Sequence, residues 1–73
     1  MDFPNEKVVQ RLKERYTEGA RVKLIRMNDK FAPPSGTLGT VSFVDDIGTI
    51  HVNWDNGSSL GVAYGEDLIS LAS

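Results

Sequence analysis

Between Gly36 and Val62 the chain alternates. Apolar side chains fall at Val41 and Phe43, then at Ile50, Val52 and Trp54, then at Leu60 and Val62. Successive side chains on a strand point to opposite faces, so a period of two marks strands with one buried face. Turn-forming residues separate the runs, at Asp45-Asp46-Ile47-Gly48 and at Asp55-Asn56-Gly57. Asp and Asn hydrogen-bond their own backbone there, and Gly supplies a positive φ. Three strands joined by tight hairpins follow from this pattern.

Parity sets the expected registers. A two-residue Asn56-Gly57 turn would pair Trp54 with Ser59 and throw Leu60 and Val62 onto the opposite face. A three-residue Asp55-Asn56-Gly57 loop pairs Val52 with Leu60 and Ile50 with Val62, with Gly57 at a left-handed bulge position. A one-residue slip inverts a whole strand, so burial favours the three-residue loop. By the same reasoning a four-residue loop over Asp45–Gly48 pairs Phe43 with Ile50 and Val41 with Val52.

The flanking segments complete the fold. Residues 5–17 are expected to be helical, with Val8, Leu12 and Tyr16 four apart, Val9 beside them, Asn5 or Asp2 as cap and Pro4 near the first turn. Gly19 is the expected stop. Gly19 to Met27 reads as the first strand, with Val22 and Leu24 facing the core and the helix covering Ile25 and Met27. Pro33-Pro34 and Gly36 forbid regular structure in the connection from Asn28 to Thr37. A turn over Ala63–Asp67 leads to a short last strand, Leu68–Leu71. A five-stranded antiparallel meander buries its edges by curling on itself. The expected fold is mainly β, a small SH3-like barrel over residues 20–72 with one N-terminal helix, in a single domain of 73 residues.

Composition limits the chemistry. Cysteine is absent, which removes disulfides and thiolates and suits a reducing cytoplasm. The longest apolar runs are a few residues, too short for a transmembrane helix. All eight Lys and Arg lie between Lys7 and Lys30, so the first thirty residues carry a net +3 and the remainder −5. That asymmetry either forms a basic face for an acidic partner or packs basic beside acidic elements.

The polar residues offer little that catalyses. His51 is the single histidine, on the strand parity opposite Ile50 and Val52, and with no cysteine it makes no zinc site. A base role would draw on Ser58 or Ser59, but a surface strand position accounts for it. The Asp45-Asp46 and Asp55-Asn56 pairs lack the ligand spacing of a calcium loop. Gly36-Thr37-Leu38-Gly39 precedes a strand, so no helix N-terminus follows to take a phosphate. No catalytic residue, metal ligand or cofactor is expected.

Two resemblances follow from the motifs. Gly19-Ala20-Arg21-Val22-Lys23-Leu24 with Gly36-Thr37-Leu38-Gly39-Thr40-Val41 resembles the KOW-type pattern of SH3-like barrels in ribosomal and transcription-elongation proteins. A wider likeness takes in Arg11-Leu12, Tyr16, Arg21-Val22, Met27-Asn28-Asp29, Gly36–Val41, Val44-Asp45-Asp46 and His51–Ser58. Over nearly the whole chain these resemble the domain-of-unknown-function 4314 family of small bacterial and phage-associated proteins. That likeness implies a fold and no catalytic residues. One departure is Leu68, where the family leads one to expect an aromatic.

The leading expectation is a non-enzymatic, monomeric binding module that docks a protein or peptide through Phe31, Pro33, Pro34 and Tyr64. Loop aromatics beside prolines suit peptide recognition, or else seal the ends of a very small core. The alternative is a nucleic-acid-binding module using Lys7, Arg11, Arg15, Arg21 and Lys23 as one basic strip.

Overall fold

The computed structural model describes residues 5–72; the expected roles of Asp2 and Pro4 lie outside them. Its elements are α1 (Glu6–Arg15), β1 (Arg21–Arg26), β2 (Leu38–Val44), β3 (Thr49–Trp54), β4 (Val62–Ala63) and β5 (Leu68–Leu71). The five strands form one antiparallel sheet in the order β4-β3-β2-β1-β5.

Asn5 caps α1, its Oδ1 accepting the Val8 N–H at 3.0 Å. Val9, Leu12 and Tyr16 are buried, so the apolar stripe docks on the sheet as expected. The helix ends two residues early, at Arg15. Gly19 is not its stop; with φ 87° it serves the Thr17–Ala20 turn that leads into β1.

One contiguous core gathers Leu12 and Tyr16 with Val22, Leu24, Val41, Val44, Ile50, Val52, Trp54, Val62 and Ile69. Phe43 is absent from it, against the expected parity. The β2–β3 ladder pairs Val41 with Val52 as expected, then slips, so that Phe43 faces His51 and Val44 faces Ile50. The extra residue of this bulge inverts parity beyond it. Val44 turns inward and Phe43 stays 55% exposed. The loop also shortens to three residues, because the Asp45 N–H donates to the Thr49 carbonyl and the Gly48 N–H to the Asp45 carbonyl.

A second bulge corrects Ile25. In the β1–β5 ladder Leu24 pairs with Ile69 and Arg26 with Leu68, leaving Ile25 as the surplus residue. Met27 therefore packs on the core while Ile25 faces out, uncovered by the helix.

The β3–β4 hairpin has the expected three-residue loop. Trp54 N–H donates to the Ser58 carbonyl, Gly57 N–H to the Trp54 carbonyl, and Gly57 has φ 94°. Ile50 pairs with Val62 as expected, but the ladder does not reach Leu60. The Leu60 carbonyl instead accepts the Trp54 indole N–H at 3.0 Å, and its N–H faces the Ser58 hydroxyl.

The sheet is open, not closed into a barrel: β4 and β5 stand at opposite edges. Yet only Tyr64–Asp67 separate them. Glu66 and Asp67 N–H groups donate to the Ala63 carbonyl at 3.1 and 3.0 Å, a turn whose ends lie within about 7 Å. Flat, five strands would hold the edges about 19 Å apart. The sheet must therefore curl until its edges approach, which creates the seam described next.

Candidate functional site

Where the two edges approach, a groove of about 370 Å³ remains. Leu12 of the helix and Tyr16 just past its end form its floor with Ile50, Val62 and Ile69, while Arg26, Tyr64 and Leu68 stand at its rim. Tyr64 is 51% exposed and Leu68 50%. Asp67 braces the turn: Oδ2 accepts the Ala63 N–H at 2.9 Å, and Oδ1 accepts the Asn28 N–H at 3.0 Å. That second bond ties the β1–β2 connection to the groove's edge.

The structure divides the expected docking residues. Tyr64 lines the groove; Phe31, Pro33 and Pro34 do not. Phe31 is 72% exposed in the β1–β2 connection, where the Asp29 carboxylate accepts its backbone N–H and the Lys30 ammonium lies 5.1 Å from its ring centroid. Pro34 is exposed, its carbonyl accepting both the N–H and the hydroxyl of Thr37. Pro33 is buried and cannot meet a partner as placed.

The basic residues are also divided. Lys7, Arg11 and Arg15 are exposed on α1, and Arg21 and Lys23 are exposed on β1. The helix packs mainly on β2. Arg21 is already engaged: its guanidinium grips Asp55 with bonds of 2.9 and 2.6 Å and reaches the Thr40 hydroxyl at 2.8 Å. The hydrogen bond from Arg21 holds the Asp55 carboxyl below its ordinary value, and Asp55 in turn raises Arg21.

One arrangement was not anticipated. His51 Nε2 lies 2.9 Å from Asp45 Oδ2, and the imidazole stacks on Phe43 with centroids 4.2 Å apart and planes 10° off parallel. Asp45 Oδ1 accepts the Ile47 and Thr49 N–H groups at 3.1 and 2.9 Å. Partial burial pushes this carboxyl up, but the His51 ring and the two N–H groups outweigh it, and it sits below its ordinary value. Both carboxylate oxygens are occupied in holding the hairpin. Among the described residues, no three His, Cys, Asp or Glu side chains gather to hold a metal ion. None of the helices there is long and apolar enough to cross a membrane.

Comparison with known proteins follows the same outline. No curated protein matches the chain. The family described as a domain of unknown function (DUF4314) matches residues 5–72, from the helix cap to one residue past the last strand. Over that span the chain belongs to the DUF4314 family.

Proposed function

We propose that the protein is a non-enzymatic binding module of the cytoplasm that holds a segment of a partner protein in the groove between β4 and β5. The observation that carries this reading is the groove itself, with an apolar floor open to solvent beside a half-exposed tyrosine. Apolar grooves with aromatic rims take peptide side chains well, because each buried side chain adds affinity while the rim orients the backbone. Phe31 is a secondary contact on the adjoining connection. Pro33 and Pro34 serve the loop.

A photo-crosslinking residue at position 64 tests the proposal. It should trap a defined partner, and Tyr64→Ala should weaken binding of that partner by about tenfold. If the trapped partner binds Tyr64→Ala as well as the wild type, the groove is not the site.

The nucleic-acid reading is supported by Lys7, Arg11 and Arg15, exposed on one helix. It requires DNA or RNA binding that weakens steeply with salt and depends on those three residues. The Arg21–Asp55 grip leaves it with less support than the groove.

A further inference from the structure

We propose that β5 is a pairing edge that takes the β5 strand of a second copy of this chain, about a two-fold axis through Ser70. The argument starts from the backbone. Ala72 N–H donates to the Arg21 carbonyl at 2.8 Å, and Ser70 pairs with Lys23. Hydrogen-bonding direction alternates along an antiparallel strand, so Ser70 and Ala72 face β1 while the N–H and C=O groups of Ile69 and Leu71 face away.

The two edges of the sheet differ in how they are guarded. At β4 the turn itself satisfies Ala63: its N–H donates to Asp67 and its carbonyl accepts from Glu66 and Asp67. At β5 the segment Leu68-Ile69-Ser70-Leu71-Ala72 carries no charge and no proline, the usual blocks to edge pairing. Leu68 and Leu71 remain 50% and 44% exposed there.

The polarity of the segment selects the occupant. An interface on a two-fold axis sets each residue against its mirror position, so it must complement itself. About Ser70 the sequence is symmetric in character. Ile69 meets Leu71 of the second copy through paired backbone bonds, Leu68 meets Ala72, and the two Ser70 hydroxyls meet each other. No like charges oppose across the pair. The strand is short, so the association is weak and appears only as concentration rises. The second strand would run along the β5 side of the groove, which Leu68 and Ile69 line, so a dimer and a groove-bound segment exclude each other.

Sedimentation equilibrium of the whole chain, from about 10 µM to 1 mM, reads this directly. The average mass should climb toward that of a dimer. Leu71→Pro removes an outward N–H that the β1 ladder does not use, and Leu71→Lys adds an edge charge. Both should remain monomeric. A wild-type mass that stays monomeric at 1 mM overturns the proposal. So does association of folded Leu71→Lys or Leu71→Pro, confirmed by circular dichroism, at wild-type strength.

Discussion

The two hairpins of this sheet share a turn and little else. Each closes a three-residue loop ending in a glycine of positive φ, Gly48 at 85° and Gly57 at 94°. Beyond the first loop the ladder runs five pairs, from Val44–Ile50 to Gly39–Trp54, through a bulge. Beyond the second, only Thr49–Ala63 and Ile50–Val62 pair. Loop chemistry therefore sets how a hairpin begins, and packing sets how far it continues. At the first hairpin a carboxylate braces the loop from within; at the second, an indole takes the carbonyl that the ladder would have used.

Trp54 offers the largest way to break this contrast. Trp54→Ala should cost about 3–5 kcal/mol of stability by urea unfolding, since the ring is buried in the core. Trp54→Phe keeps much of the bulk but loses the N–H to Leu60, and should cost about 1–3 kcal/mol. In that variant the Leu60 carbonyl is free to accept from β3, and amide exchange protection at Val52 should reveal it. Unchanged exchange protection at Val52 in Trp54→Phe would leave the indole bond without a role in ending the ladder.

Gly57→Ala is next, at about 1–2 kcal/mol. An added Cβ meets nothing within 4 Å, so the whole cost is backbone strain. Gly57→Asn should be milder, because Asn tolerates the left-handed region better than Ala does. An Asn variant as unstable as the Ala variant contradicts the bulge assignment.

The smallest effect is expected at the first loop. Asp45→Asn should cost about 1 kcal/mol or less at pH 7. Because the folded carboxyl lies below its ordinary value of 3.8, its stabilisation is present above that value and disappears as pH falls through the folded one. The variant should flatten part of the acid limb of a stability–pH curve. Asp55, held down by Arg21, accounts for another part. A curve unchanged by Asp45→Asn would show that its bonds do not outweigh its burial.

Alternation made the strands, the helix face and the Gly57 loop legible in advance, because burial leaves a period that survives in one dimension. The bulges left no such mark. Val41 and Phe43 look like unbroken alternation, and only the competition between Phe43 and Val44 for the space opposite Ile50 decides which turns inward. Ile25 was misplaced for the same reason. The groove depends on how closely the two sheet edges approach, a tertiary distance that no local pattern encodes. Tyr64 was visible as an aromatic in a turn, but the burial of Pro33 was not. The Asp45–His51 pair lies diagonally across the ladder, so it could be read only once the loop length was known.

The pairing of β5 with β1 also has a consequence for how the chain is made. The strand that flanks β1 on its second side is synthesised after the other four. Until then Val22 and Leu24 lie on a strand with one neighbour and an incomplete cover. A nascent chain in that state is sticky, and its completion waits on Leu68–Leu71 rather than on local propensity. Slowing translation upstream of Leu68 should therefore prolong the time this chain spends in need of a chaperone.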